Sequence, residues 1–462
     1  MAGRPTGSGS RRPRTDPARE AAYAVLTAVR EQDAYTNLAL PQTLRGRSVT
    51  GRDAAFATEL VSGTIRRRGS YDAVLAACLD RPLAKVQPAV LDVLRLGAHQ
   101  LLAMRVPTHA AVGSSVDLVR RTVGQGPAGF VNAVLRKVSA HDLDHWLRRV
   151  APDPTTDPVG WASVAYSHPT WVVSALAEAL GRDDELDALL AADNDAPAVA
   201  LVARPGQATR DELVAGGAEP GRWSPHAATL TGGDPGAVPA VAEGRAGVQD
   251  EGSQLVALAL SRSAVDGRDE RWLDACAGPG GKAALLAALA GEAGARLVAS
   301  ERQPHRAGLV ASATATSRGS GLLGVVAADG TRPAWRDGAF DRVLVDAPCS
   351  GLGALRRRPE ARWRKQPADL DGLVPLQAAL LGRALDAVRP GGVVVYATCS
   401  PVLAETAGVV RAVLDGRDDV ALEPVGPLLD VPDSDGPLPG TAQLWPHRHG
   451  TDAMFIALMR RR

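Results

Sequence analysis

Two short stretches hold the residues best suited to chemistry. "DAPCSG" runs from Asp346 to Gly351 and "YATCSP" from Tyr396 to Pro401. Each follows an apolar run that reads as a buried strand, and each sets a cysteine where that strand should end. The chain has four cysteines, Cys78, Cys276, Cys349 and Cys399. That is too few for a disulfide framework, and none form a C-x-x-C pair, so reduced thiols and no metal site are expected. Two thiols beside Asp346 suit one specific problem, methylation of carbon 5 of a pyrimidine. That carbon is a poor nucleophile until a thiolate adds to carbon 6 and makes it enamine-like. A carboxyl group at ring nitrogen 3 stabilises the adduct, and a base must later remove the carbon 5 proton so that the thiol can leave. The competing reading makes each cysteine a small buried hydrophobe. Proline or threonine before the two cysteines and serine after both favour the chemical one. Cys276 and Cys78 read as structural.

These residues need a scaffold that brings strand ends together. From about residue 248 strands and helices alternate, with strand-like runs at 271–277, 295–301, 322–329, 340–348 and 391–399. Such alternation predicts a parallel sheet covered on both faces. Its ligands sit outside the carboxyl ends of the strands, beside the first one. If the fourth and fifth strands are neighbours, about 4.8 Å apart, Cys349 and Cys399 face one pocket. The stretch "AQLWPHRHGTDAMFIALMRR" reads as an antiparallel hairpin closing the sheet.

The first strand ends in "DACAGPGGK", with Gly278, Gly280 and Gly281 ahead of a helix. This is neither the G-x-G-x-x-G fingerprint nor a phosphate loop, since Lys282 and Ala283 follow Gly281. Acidic residues end the next strands: Glu301, Asp329 and Asp346. A carboxylate after the second strand suits a ribose diol, and one after the third can accept from an adenine amino group. Acids without phosphate-binding residues point to S-adenosylmethionine rather than NAD or ATP. The alternative is that each acid caps the helix that follows.

At 462 residues the chain suggests two or three domains. Residues 1–16 read as a disordered basic tail and 17–144 as an all-α domain, with Thr15 or Asp16 capping a first helix that has Pro17 in its first turn. Residues 145–247 form a small mixed α+β unit, ending in Pro- and Gly-rich loops over 219–247, and 248–462 form the doubly wound α/β domain. The net charge of +1 conceals an asymmetry: residues 1–140 hold 20 basic and 10 acidic side chains, so the remainder carries −9. A basic helical module joined to an acidic one suggests a polyanionic partner. Arginines at helix ends, such as Arg66, Arg67 and Arg68, suit the helix dipole equally well. No apolar run approaches the ~20 residues of a membrane span, and a cytoplasmic location without membrane contact is expected. Nothing in the sequence calls for an obligate protein partner. "LRRRPEARWRK" (355–365) sets Trp363 among Arg356, Arg357 and Arg358, a combination able to bind phosphate and stack an extruded base.

"DACAGPGGK" (274–282), "DAPCSGLGALRRRPEARW" (346–363), "TCSPVLAE" (398–405) and "VQDEGSQL" (248–255) resemble the RNA cytosine-carbon-5 methyltransferases of the Sun/RsmB type. "FATELVSGTIRRRGSYDAVL" and "FVNAVLRKV" resemble the NusB-type helical RNA-binding domain of bacterial members. The resemblance implies a NusB-like N-terminal domain, a small α+β middle domain and a C-terminal Rossmann-like class I methyltransferase domain. It implies that Cys276, Ala277, Gly278, Pro279, Gly280, Gly281 and Lys282 hold the methionine end of S-adenosylmethionine, Glu301 the ribose and Asp329 the adenine. Asp346 would lie between cofactor and cytosine. Cys399 would be the nucleophile and Cys349 would assist product release, a division that strand order does not supply. The implied substrate is a cytosine in small-subunit ribosomal RNA. Three rivals stand beside it: a transfer-RNA cytosine methyltransferase, a DNA cytosine methyltransferase with Cys349 as nucleophile, and a non-catalytic RNA-binding or antitermination protein. The chain departs from the family at Glu405-Thr406-Ala407, where Glu-Asn-Glu is common. It departs again at Ala453-Met454-Phe455 after Asp452, and at Val202-Ala203-Arg204-Pro205.

Overall fold

A computed structural model describes residues 16–104 and 106–462. The expected basic tail lies outside them, apart from Asp16. The chain forms two compact units. One comprises the residues up to Val173 with Arg358–Trp363, and the other Ser174–Arg357 with Arg364–Arg462.

The first unit is helical. Its first helix, Pro17–Glu31, starts as expected: Asp16 accepts from the Arg19 amide at 3.0 Å and Pro17 occupies the first turn. Further helices span Thr36–Gly46, Gly51–Arg66, Arg68–Cys78, Pro88–Leu102, Thr108–Thr122, Ala128–Val138, Leu143–Val150 and Pro158–Ala165. Pro88–Leu102 is the central one, burying Val90, Leu91, Val93, Leu94, Leu96 and Ala98. Apolar groups this close to all-round mark a helix wrapped by others. Gly97 lets it lie tight against Ala128–Val138, since a Cβ there would stand 2.5 Å from a Leu135 methyl. Cys78 is buried in the same core.

Residues 358–363 belong to this unit. Glu360 accepts from the Thr36 amide at 3.2 Å, the Arg362 guanidinium donates to the Ser167 carbonyl at 3.2 Å, and the Trp363 indole N–H donates to the Ile65 carbonyl at 3.0 Å.

The second unit opens with a four-stranded antiparallel sheet, β1 (Val199–Ala203), β2 (Glu219–Pro220), β3 (Ala227–Leu230) and β4 (Ala246–Val248), in the order β2-β3-β1-β4. Residues 219–247, read from the sequence as loops, therefore supply three strands. Each is two to four residues long, too short for alternation to register. The helix Arg210–Ala215 packs Leu213 into their core and stops at Gly216.

The large sheet contains β5 (Arg271–Asp274), β6 (Arg296–Glu301), β7 (Leu322–Ala327), β8 (Phe340–Asp346), β9 (Val388–Thr398), β10 (Val420–Glu423), β11 (Ala442–Gln443) and β12 (Phe455–Arg461). Their order is β10-β12-β9-β8-β5-β6-β7, with β11 beside β12. Strands β5 to β9 are parallel, and β12 runs antiparallel to β9. The order reverses at β5, so β6 and β8 diverge around its carboxyl end. Alternate residues serve opposite cores. Trp272, Leu344, Val393 and Val395 meet the helices Glu251–Arg262 and Gly281–Glu292, while Leu273, Val343, Val345 and Val394 meet Leu370–Ala387 and Ala407–Leu414. Burial on both faces explains why these strands read as continuous apolar runs. The closing hairpin is shorter than its sequence suggests. β11 has two residues, a turn of helix Pro446–His449 intervenes, and β10, unmarked in the sequence, supplies β12's outer neighbour.

Candidate active site

Chain direction places Asp274, Glu301 and Asp346 at the carboxyl ends of β5, β6 and β8, with Asp329 two residues beyond β7. The loop after β5 is pinned at both sides: the Ala275 amide donates to the Leu344 carbonyl at 2.9 Å and the Ala277 amide to the Ser300 carbonyl at 2.8 Å. Gly280 precedes the helix Gly281–Glu292 with φ 117°. A Cβ there would also press on Ala313 at 2.6 Å, so backbone conformation and space both require glycine. The Arg306 guanidinium donates to the Gly278 carbonyl at 2.8 Å.

Glu301 is buried, and one of its oxygens accepts from the Gln303 amide at 2.9 Å. Asp329 accepts from the Thr331 amide at 2.9 Å and its hydroxyl at 2.7 Å. Those bonds hold its carboxyl below the usual range. Both acids thus commit one oxygen to their own loops, as the capping alternative expects, and keep the second for another partner. The second oxygens stand 3.5 Å from Arg306 for Glu301 and 3.8 Å from Arg302 for Asp329.

Lys282 reaches Asp346 at 2.9 Å. Burial pushes its ammonium down, but the charge and hydrogen bond of Asp346 outweigh that, and the net shift is upward. Negative charge on Cys399 adds to it. The two thiols singled out by their motifs meet: the Cys349 and Cys399 sulfurs are 3.5 Å apart. Pairing of β8 with β9 brings this about, and the Ala347 amide donates to the Ala397 carbonyl at 2.9 Å just beyond the ladder. Hydrogen bonding to the Cys399 sulfur, burial, and the charges of Cys399, Glu405 and Asp346 hold the Cys349 thiol well up. Burial and the surrounding Asp274, Asp346 and Glu301 push up the Cys276 thiol, which makes it a poor nucleophile.

Asp274 belongs to the site although sequence reasoning passed over it. The run 271–277 reads as one strand with Asp274 in its interior, whereas β5 ends at Asp274. The available signal was an acid at the end of the first strand of a doubly wound sheet. Its side chain is fully buried; one oxygen accepts from the Cys276 amide at 3.2 Å and the other has no hydrogen-bond partner among the described residues. Burial, then the charge of Asp346, raise its carboxyl to about 7. A folded-state value above the unfolded one means that the folded protein keeps a proton the unfolded chain releases near pH 4. Stability is therefore fully present below pH 4 and lost as pH climbs through 7, by up to about 4 kcal/mol. Asp274→Asn is expected to remove this slope, so urea midpoints at pH 5 and pH 8 should lie closer together than in the parent protein. An unchanged difference would contradict the assignment.

The expected RNA contacts are placed differently. Arg356 is buried, donates to the Gly450 carbonyl at 2.8 Å and lies 3.7 Å from Asp452. Arg357 pairs with Asp250 at 2.8 Å and Asp452 at 3.3 Å. Their charges are thus met inside the protein. In the helical unit Arg358 covers Tyr35 at 5.6 Å from the ring centroid, and Trp363 packs against Gly69 with Arg68 5.5 Å from its ring. The expected basic loop, with a tryptophan free to stack a base, is not what these side chains form. Arginine and tryptophan in one segment carry the same sequence signal whether they serve RNA or internal carboxylates and carbonyls.

A switch-point sheet of this order, with a glycine loop and acidic strand ends and a separate helical unit, defines a Rossmann-like methyltransferase domain joined to an all-α domain. Residues 264–460 match the family described as 16S rRNA methyltransferase RsmB/F, and residues 16–140 match the NusB family. The chain is 52% identical over 99% of its length and 99% of the relative's to a putative methyltransferase of Mycobacterium tuberculosis. It is 32% identical to a probable ribosomal RNA small subunit methyltransferase B of Synechocystis, over 96% of this chain and 99% of that one. Among solved structures, a protein named PH0851 shares the fold with a TM-score of 0.79 at 21% identity, over 98% of this chain and all of the other. The chain belongs to the RsmB/F family of S-adenosylmethionine-dependent RNA methyltransferases.

Proposed function

We propose that this enzyme methylates carbon 5 of a cytosine in small-subunit ribosomal RNA, in the cytoplasm, through a covalent adduct with Cys399. The observation that carries the reading is the 3.5 Å approach of two thiols at the ends of adjacent parallel strands, beside the Lys282–Asp346 pair. The ribosomal substrate is supported by the names of the family and of the Synechocystis relative.

The donors at the strand ends fit the cofactor's chemistry. The unpartnered oxygen of buried Asp274, the second oxygens of Glu301 and Asp329, and a loop with no side chain at Gly278, Gly280 and Gly281 suit a nucleoside with a cationic centre. Cys276–Lys282 would hold its methionine end, Glu301 the ribose hydroxyls and Asp329 the adenine amino group. When bound, S-adenosylmethionine supplies an electrophilic methyl group for carbon 5.

The chain's own residues do the rest. Lys282 favours the Cys399 thiolate, which bonds to carbon 6 of the base. As the thiolate adds, Asp346 passes or shares with ring nitrogen 3 a proton drawn from its Lys282 partner, and takes it back when the adduct breaks, so that negative charge does not build up on the ring. While Cys399 is ionised, Cys349 stays a neutral thiol. Once Cys399 is bonded to carbon, the strongest influence raising the Cys349 thiol is gone, and Cys349 can lose its proton to solvent and serve as the base. Its thiolate takes the carbon 5 proton, the electrons of that C–H bond form the 5,6 double bond, and the carbon 6–sulfur bond breaks to return the Cys399 thiolate. A base paired in a helix must be extruded or single-stranded to reach these sulfurs.

The test uses unmethylated small-subunit ribosomal RNA transcribed with cytidine tritiated at carbon 5. One tritium is expected in water for each methyl group transferred. Methyl incorporation without tritium release would exclude carbon 5.

A further inference from the structure

The serines that follow both cysteines converge on one carboxylate. Glu405 is fully buried. One of its oxygens accepts from the Ser350 amide at 2.7 Å and the Gln377 amide side chain at 3.0 Å. The other accepts from the Ser350 hydroxyl at 2.5 Å and the Ser400 hydroxyl at 2.6 Å, and those two hydroxyls lie 2.9 Å apart. Gln377 also donates to the Pro348 carbonyl at 2.9 Å, and the Tyr396 hydroxyl to the Glu405 carbonyl at 2.7 Å. Among the described residues, every donor that meets this carboxylate is neutral. Burying a carboxylate without a counter-cation is costly, yet an apolar core residue would fill the same space. What the charge adds is a rigid link: four charge-assisted bonds, three of them from the residues directly following the two cysteines.

Resting on the covalent reading above, we propose that Glu405 is a positioning residue for product release. Its carboxylate clamps the two serines and so fixes the thiols at the spacing from which Cys349 can take the carbon 5 proton. The groups facing Cys349 are Cys399, Asp346 and Glu405, with the Tyr396 hydroxyl behind them. Of these, Glu405 is a negative charge that the reaction itself does not touch, so it also helps to keep Cys349 protonated until the adduct forms.

Adduct breakdown measured against pH tests this. Full-length parent protein, Glu405→Gln and Cys349→Ala would each be mixed with S-adenosylmethionine and unmethylated small-subunit ribosomal RNA, and adduct followed on denaturing gels. Glu405→Gln is expected to retain cofactor affinity and the KM for RNA. Its breakdown rate should fall about 10–100-fold, the scale of a reacting group displaced by up to about 1 Å. Loss of a like charge near Cys349 should also move the pH midpoint of breakdown acidward by about one unit, which slackened packing alone would not do. Breakdown at the parent rate and midpoint would overturn the proposal. A Cys349→Ala protein that accumulates no adduct would instead count against the covalent reading on which it rests. Should Glu405→Gln fail to fold, the double variant Ser350→Ala/Ser400→Ala decides. It keeps the charge and removes the clamp, so breakdown should slow with its midpoint unmoved, and parent-like breakdown would overturn the clamp.

Discussion

Replacing Cys399 by alanine is expected to abolish methyl transfer, by about 10⁴-fold or more in kcat, the scale of losing the nucleophile in covalent catalysis. No adduct should form, because no other group can take its place. Cys349, whose sulfur lies 3.5 Å from that of Cys399, follows a different strand end and so meets the base from another position, and burial, Glu405 and Asp346 still push its thiol up when Cys399 is gone. Cys276 is also pushed up by burial and by three carboxylates. Cofactor binding should survive, since the cofactor loop and Glu301 hang from β5 and β6 and the lost sulfur from β9. A single-turnover assay with equilibrium cofactor binding separates these expectations. Retained methyl transfer would mean that the enzyme works without this thiol.

Asp346→Asn is expected to be nearly as damaging, lowering single-turnover methyl transfer about 10²–10³-fold, the usual worth of one group aimed at developing charge. Its carboxylate is the 2.9 Å partner that keeps buried Lys282 charged against the pull of desolvation. Losing it leaves an ammonium whose burial is no longer offset, and with it the field that favours the Cys399 thiolate. The same change removes a negative neighbour from Asp274, whose carboxyl should fall from about 7. The effect should therefore appear chiefly in the rate of adduct formation, while loss of a like charge near Cys349 should move the pH midpoint of breakdown acidward. An Asp346→Asn protein forming adduct at the parent rate would show that the pair is structural.

Much of this site is legible in the amino-acid sequence. Strand-end chemistry can be read because fully buried parallel strands write themselves as apolar runs, and what stands at their ends is conspicuous. That places Glu301, Asp346, Cys349 and Cys399, and the pairing of β8 with β9 then brings the sulfurs together. Short antiparallel strands are illegible for the opposite reason: β2, β3 and β4 hold two to four residues each, less than the window over which a period of two can be seen. Asp274 is hidden by a strand drawn three residues too long. Partner choice is the harder limit. Nothing in "LRRRPEARW" tells that Arg357 faces Asp250 and Asp452, more than ninety residues away in either direction. Nor does "TCSPVLAE" tell that Glu405 folds back beneath both cysteines. Contacts of that kind are made by the fold, whereas the spacing of motif residues is written along the chain.

The most direct test of the central claim sets Cys349→Ala against Cys399→Ala in one experiment. Each is mixed with S-adenosylmethionine and unmethylated small-subunit ribosomal RNA and run on a denaturing gel. The assignment of Cys399 as nucleophile and Cys349 as release base predicts a covalent protein–RNA band from Cys349→Ala alone. A band from Cys399→Ala alone would reverse the roles of the two thiols, and no band from either would contradict the covalent mechanism itself.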